Sequence, residues 1–292
     1  MTIITIDITS DPVCPWCYMG KIRLDRAISL YQKVYPGGRH DTFSIVWHPF
    51  YLEPDAPADT PGVPWAERHA QKFGGRRHDD DGGETKEKEE SEAKILHLRA
   101  QLAAKGRQHG LKFSFGGKIG RTRDAHRLIA LAGRQEKKGK EKEGAADVNS
   151  DDDDDAGGLQ DLVVMQLFRD FFEGEADITS RAMLAELGSK AGLGRREDLL
   201  AWLESGEGGE EVDEQARGAR EEGRMKRVPR FVVQGEHVID GAQDGQAFME
   251  AFVQIKEGRE GGVEEQAASS STAAMGSDPG TPTSCAPGGS CS

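Results

Sequence analysis

Cys14-Pro15-Trp16-Cys17 stands between a β-like run and an amphipathic helical one, and no other stretch restricts the fold as much. Upstream, Ile3-Ile4-Thr5-Ile6-Asp7-Ile8 is rich in β-branched residues, with Ile4, Ile6 and Ile8 on one face, as a half-buried strand requires. Downstream, Ile22, Ala27, Ile28, Leu30 and Tyr31 recur at helical spacing, with Leu24 close to the same stripe. A strand–loop–helix junction presents Cys14 at or near a helix N-terminus, where unpaired backbone N–H groups favour a thiolate over a thiol. Cys14 is then expected to be the more exposed sulfur and the nucleophile. Cys17, one turn further in, is expected to be the resolving thiol. Pro15, expected at the second helical position, costs little because its missing N–H has no intrahelical partner there.

The same spacing also serves as half of a zinc site. The other two cysteines, Cys285 and Cys291, are six residues apart in a Gly-, Ser- and Pro-rich tail and supply no matching knuckle. The pair therefore reads as redox-active, and no metal is expected.

The rest of the chain sorts by pattern. Thr42–Phe50 alternates as a second strand that ends where Pro49 forbids a ladder bond, giving strand, helix and strand within fifty residues. His48, just before that proline, reads as a surface or edge residue. Residues 54–64 are an exposed crossing, and a helix starts near Trp65. Residues 74–91 and 135–158 are acidic and lysine-rich low-complexity stretches, the second with five consecutive aspartates at 151–155. With no apolar face to bury, they are expected to be disordered or, in the first case, a frayed helix. Around them, apolar periodicity marks an antiparallel helical body of about five helices. Within it, Thr122 is placed as an N-cap and His126 as a packing or capping residue. The β pattern returns at Met225–Val233 and His237–Ile239, joined by a turn at Gln234-Gly235-Glu236. A final helix, 245–256, would bury Phe248, Ala251, Phe252 and Ile255.

Charge and hydropathy narrow the partners. A net charge of -13 argues against a nucleic-acid or anionic-membrane surface, and no apolar run approaches the ~20 residues of a membrane helix. The N-terminus enters a strand without a basic or apolar leader, so a cytoplasmic location is expected, where four cysteines read as catalytic or regulatory.

Ser10-Asp11-x-x-Cys14-Pro15-Trp16-Cys17-Tyr18-x-Gly20-Lys21 resembles the active-site segment of the DsbA-like thioredoxin proteins, in particular the FrnE branch. That group is related to 2-hydroxychromene-2-carboxylate isomerase and kappa-class glutathione transferase. Trp47–Asp55 resembles the same family, as does Val228-Pro229 followed by a hairpin and the Gly241-Ala242-Gln243 turn. The resemblance covers roughly residues 3–60 and 95–257. It implies an α/β fold whose thioredoxin-like core is built from residues 1–62 and 223–258. An inserted all-helical subdomain, 63–222, would interrupt that core and carry the acidic disordered loops at 74–91 and 135–158. A flexible tail with the second cysteine pair would follow at 259–292. The resemblance further implies a cis Val228–Pro229 bond facing the dithiol, with Val228 pairing with the substrate backbone, so Pro15, Trp16, Val228 and Pro229 are expected to bind substrate. Arg121-Thr122 departs from the family's Asn-Thr. Arg230 departs from an apolar or aromatic residue and is expected to bring positive charge near the cleft, favouring an acidic substrate or glutathione.

The function so implied is thiol–disulfide oxidoreduction on protein or small-molecule disulfides, with no tightly bound cofactor and glutathione as a candidate redox partner. Neither nucleic acid nor membrane is an expected partner, and a homodimer is allowed. Direction stays open, because thioredoxin-like sites span about 150 mV. The 24-residue linker 261–284 spans roughly 27 Å as a flexible coil, enough for Cys285 and Cys291 to form a secondary dithiol that relays a disulfide to Cys14–Cys17. The alternative is a glutathione-dependent isomerase or transferase of the 2-hydroxychromene-2-carboxylate isomerase or kappa type, in which serine commonly stands at the position of Cys14.

Overall fold

The computed structural model describes residues 1–56, 61–73, 84–143, 158–221, 225 and 227–258. In chain order, β1 (Ile3–Ser10), α1 (Pro15–Val34), a 3₁₀ turn (Gly38–His40) and β2 (Thr42–Pro49) come first. A two-residue ladder of β3 (Val63–Pro64) and β4 (Lys118–Ile119) accompanies α2 (Trp65–Phe73) and α3 (Glu84–Gln108). Then follow α4 (Arg123–Glu143), α5 (Leu159–Phe172), α6 (Arg181–Lys190), α7 (Arg196–Ser205) and α8 (Gly209–Glu221). The chain returns to strand in β5 (Arg230–Val233) and β6 (His237–Asp240), and α9 (Gly245–Lys256) ends the described part.

The sheet has the order β2-β1-β5-β6. β1 runs parallel to β2, from Ile3 opposite Thr42 to Ser10 opposite Pro49, and antiparallel to β5, which antiparallel β6 flanks. β1 from the start of the described residues and β5 from near their end are therefore hydrogen-bonded neighbours, a thioredoxin-like core with a long insertion. Alternation on β1 puts Ile4, Ile6 and Ile8 on one face with Ile45, Trp47, Phe231 and Val233, all buried. Leu24, Ala27, Ile28 and Tyr31 of α1 join them in one cluster with Phe248 and Phe252 of α9. Each such side chain contributes about 1.5–3 kcal/mol of burial. The stripe on α1 departs from expectation at Leu30, which is half exposed. The turn between β5 and β6 takes Gln234 and Gly235 through positive φ (54° and 75°), the pair of left-handed residues a tight hairpin needs.

The insertion packs into the same apolar cluster as the core, through Val163, Leu167, Phe168 and Phe172 of α5 among others. It differs from expectation in three respects. Among the described residues it holds seven helices rather than about five, it includes the β3–β4 ladder, and helix extends into the second low-complexity stretch as well as the first, where a frayed helix was one of the two expectations. Residues 84–91 open α3 and residues 135–143 close α4. Long runs of Glu, Lys, Arg and Gln have adequate helix propensity, so a helix anchored elsewhere extends through them without an apolar face. The expected strand from Met225 begins only at Arg230, after Pro229.

Polar groups orient the helices. Lys21 on α1, almost wholly buried, pairs with Asp161 of α5 at 2.9 Å and with Asp25. Asp161 also accepts the indole N–H of Trp47 at 2.9 Å. Burial alone would push the Lys21 ammonium down, but the Asp161 and Asp25 carboxylates hold it above its ordinary value. Arg127 on α4 is completely buried and donates to the carbonyls of Trp202, Leu203 and Glu207 and to Asp124. At the start of the sheet, buried Asp41 accepts from Thr2 N, Tyr31 Oη and Lys256 Nζ. Burial raises that carboxyl, but these donors outweigh it and hold the group below the usual carboxylate range.

Candidate active site

β1 ends at Ser10, and Asp11-Pro12-Val13 turns the chain into α1. The Asp11 carbonyl accepts from Cys14 N at 2.9 Å, while its carboxylate accepts from Val13 N at 3.3 Å and Leu52 N at 2.8 Å. That turn sets Cys14 as the N-cap residue of α1, with Pro15 at the first helical position rather than the second. Pro15 there donates nothing and loses nothing, since the first turn's N–H groups have no partner within the helix. The Cys14 carbonyl accepts from Cys17 N at 3.1 Å and Tyr18 N at 3.3 Å, so the two cysteines share one turn with their sulfurs adjacent and both thiols free.

Exposure hardly separates the two sulfurs, contrary to the expectation of an exposed Cys14: Cys14 is 4% exposed and Cys17 1%. Direction separates them. Cys14 lines a cleft of about 340 Å³, and Cys17 does not. Burial pushes the Cys17 thiol well up, with the Cys14 sulfur beside it adding to the effect and the Ser10 hydroxyl opposing it. Across the cleft floor, the Cys14 thiol donates to the Val228 carbonyl at 3.8 Å. The Val228–Pro229 peptide is cis. Gly20 lets the proline approach, since a Cβ there would stand 3.2 Å from Pro229 and 3.1 Å from Phe231. Pro15, Trp16 and Val228 also line the cleft, and Trp16 is 39% exposed, with Lys105 Nζ 5.2 Å above its ring.

The insertion supplies the far wall. Trp65 and His69 of α2, with Leu98 and Leu102 of α3, make it largely apolar, and Glu53 and Arg227 add opposite charges. Arg230 pairs with Asp240 at 3.4 Å and does not line the cleft; among the described residues, the arginine that does is Arg227. Cys285 and Cys291 lie outside the described residues. Among the described residues no group of three or more His, Cys, Asp and Glu could hold a metal ion, and no helix is long and apolar enough to cross a membrane.

Two residues of the segment carry more than spacing reveals. Asp11 is 1% exposed, and burial pushes its carboxyl up to about 7 against the opposing hydrogen bonds from Leu52 N, Val13 N and the Thr122 hydroxyl. Thr122 stands just before α4, its carbonyl accepting from His126 N at 3.0 Å. His126 stands 4.0 Å from Asp11, and burial pushes it down to about 4, so at neutral pH it is an uncharged ring whose Nε2–H donates to the Phe50 carbonyl at 3.1 Å. His48 is half exposed and bonded to Asp7 at 2.7 Å. A polar residue beside a C-x-x-C pair was the available signal for Asp11. Its burial was not readable from spacing.

Comparison with known proteins bears on the fold. The DSBA-like thioredoxin domain matches residues 5–157 and 153–253. No curated protein matches the sequence significantly. Among solved structures, a probable DsbA oxidoreductase from Streptomyces coelicolor superposes with a TM-score of 0.64 at 22% identity, covering 87% of this chain and 90% of its own, a likeness of fold. A 2-hydroxychromene-2-carboxylate isomerase gives 0.49 at 14% identity over 87% of this chain and 96% of its own. The cytosolic disulfide reductase DsbM from Pseudomonas aeruginosa, solved with GSH, gives 0.48 at 15% over 86% and 99%. A sheet in which β5 returns to pair with β1, a helix whose N-cap is Cys14, and a domain match over most of the sequence lead to one assignment: the chain belongs to the DSBA-like thioredoxin domain family.

Proposed function

We propose that the protein is a thiol–disulfide oxidoreductase in which Cys14 exchanges with substrate and Cys17 resolves. The observation that carries this reading is a cysteine at the first turn of α1, opening on a cleft whose floor is the backbone of Val228. In the reducing direction the Cys14 sulfur, as thiolate, attacks one sulfur of the substrate disulfide. A Cys14–substrate bond forms, the substrate's own S–S bond breaks, and one substrate thiolate leaves. Cys17 then attacks the Cys14 sulfur, forms the Cys14–Cys17 disulfide and releases the second substrate thiolate. The reverse sequence oxidises a dithiol. The buried Cys17 thiol holds its proton at rest, which suits the second attacker rather than the first.

Pro15, Trp16, Val228 and Pro229 are the substrate contacts in this reading, with an extended chain laid against the Val228 backbone. The apolar wall suits a peptide, and Arg227 suits a carboxylate such as a glutathione terminus. Cys285 and Cys291 complete the proposal as a secondary dithiol that exchanges with Cys14–Cys17, so replacing both by serine should slow turnover on a protein substrate.

Insulin disulfide reduction tests the central claim. Wild type should turn over, Cys14→Ser should fall to background, and Cys17→Ser should accumulate a mixed disulfide through Cys14. Full activity in Cys14→Ser overturns the reading. A glutathione-dependent isomerase activity that persists in both serine variants establishes the alternative instead.

A further inference from the structure

We propose that Lys105 and Arg227, two cations at the rim of the Cys14 cleft, select peptide substrates that carry acidic residues beside the disulfide-bonded cysteine. The proposal rests on the dithiol reading above and names its substrate class. Leu98, Leu102 and Lys105 follow one another at i, i+4 and i+7 on α3, so one face of that helix runs from apolar to cationic. Leu98 and Leu102 line the cleft. Lys105 ends the face with its ammonium 5.2 Å above the ring of Trp16, which also lines it. An aromatic face holds a cation without neutralising it, so the charge stays available to a third group. The second cation comes from the other end of the chain. Arg227 immediately precedes Val228, whose carbonyl accepts from the Cys14 thiol, so an extended peptide laid against Val228 passes it next.

Both side chains are exposed, and among the described residues neither has a carboxylate partner. The carboxylates that line the cleft are engaged elsewhere. Asp11 is buried and accepts from Val13 N and Leu52 N, and Glu53 accepts from Arg68 Nε at 2.6 Å. The cleft mouth therefore carries uncompensated positive charge in a chain whose net charge is -13. Such a local field favours approach of negative segments and disfavours positive ones. The apolar stretch of Leu98, Leu102 and Trp65 beside it suits the side chains and backbone of a peptide rather than a bare anion. In the exchange, the Cys14 thiolate attacks one sulfur of the peptide disulfide. That S–S bond breaks, the Cys14–peptide bond forms, and the other peptide leaves as a thiolate. The cations act before this step, by raising the population of correctly placed disulfide.

The test uses the full chain carrying Cys17→Ser, which holds the mixed disulfide, and symmetric disulfides of one short peptide whose cysteine is flanked by Glu, Gln or Lys. Each rate of mixed-disulfide formation is divided by the rate of the same peptide with dithiothreitol, which removes the effect of the flanks on the sulfur itself. At low salt the Glu peptide should exceed the Gln peptide about tenfold, and the Lys peptide should be slowest. The ratio should fall towards one in 1 M NaCl, where charges are screened beyond about 3 Å. Lys105→Gln and Arg227→Gln should each lower the Glu-to-Gln ratio about threefold, the scale of one exposed ion pair, and Lys105→Arg should retain it. Lys105→Glu combined with Arg227→Glu should invert the order, so that the Lys peptide is fastest. Equal rates for the three peptides overturn the proposal and leave the dithiol reading standing. So does a ratio that neither Gln variant moves, including the case in which both variants slow only oxidised glutathione, or a double Glu variant that still prefers the Glu peptide. A protein that forms no mixed disulfide with any peptide removes the dithiol reading itself.

Discussion

The sheet core and the helical insertion share one apolar cluster but are held in different ways. The buried face of β1 is apolar throughout the pairs Ile4–Phe43, Ile6–Ile45 and Ile8–Trp47, and its register follows from alternation. Besides that shared cluster, the insertion is fixed by buried polar groups with defined partners. Lys21 and Asp161 join α1 to α5, and within the insertion Arg127 of α4 gathers the carbonyls at the end of α7. Gln160 accepts from Trp47 N at 3.0 Å and donates to Trp47 O at 3.3 Å, which lets one side chain stand in for a missing strand at the outer edge of β2. Apolar faces tolerate many orientations of similar energy. Buried charges tolerate one, because an unpaired ion in the interior is costly.

The largest expected effect breaks this contrast outright. Asp161→Ala leaves the Lys21 ammonium with only Asp25 beside it and strips the Trp47 indole of its acceptor, and should cost about 3–5 kcal/mol in urea unfolding. The double replacement Lys21→Met with Asp161→Leu removes both ions and should recover most of that loss. If the single variant costs as little as a surface pair, the insertion is held by apolar packing just as the core is.

A second expectation concerns the buried pair behind the dithiol. Between about pH 3.8 and 7 folded Asp11 keeps a proton that the unfolded chain has released, so this group makes stability fall as pH rises. Between about 4 and 6.5 the unfolded chain carries a proton that folded His126 lacks, so this group makes stability rise with pH. In the shared window the two slopes oppose each other. His126→Gln, which retains a donor for the Phe50 carbonyl, removes one of them. Relative to wild type, its stability should drop by about 3 kcal/mol from pH 4 to 6.5, measured by denaturant titration across that range. A variant that tracks the wild-type curve would mean that burial does not displace the His126 titration in the folded protein.

The smallest effect sharpens the comparison within the insertion. Ser180 caps α6 by accepting from Met183 N at 3.3 Å, so Ser180→Ala should lower stability by about 1 kcal/mol and leave disulfide exchange untouched. A larger loss would show that the helices of the insertion depend on local capping as much as on the buried ionic groups.

The strand, the helix behind the cysteines and the returning hairpin were legible because each carries a strong period of two or of about three and a half, set by contacts within a few residues. Even there the stripe on α1 misplaced Leu30, since helical spacing allows several neighbouring faces and only the packing of α9 selects one. Polar helices have no periodic signature, so the helical extent of residues 135–143 was not legible and 84–91 read equally as disordered or as a frayed helix. The burial of Asp11 and His126 was hidden for another reason: the residues that cover them, Leu52, Thr122 and Phe50, come from distant parts of the sequence.

By itself the sequence determined that two sulfurs one turn apart would begin a helix leaving a β-strand, since strand pattern, turn and helix stripe act over short range. Only the tertiary structure decided that Cys14 faces the cleft and Cys17 the interior, and that Arg227 rather than Arg230 lines that cleft. Those outcomes depend on which remote side chains exclude water from each atom, and that is a property of the packed chain rather than of any local run within it.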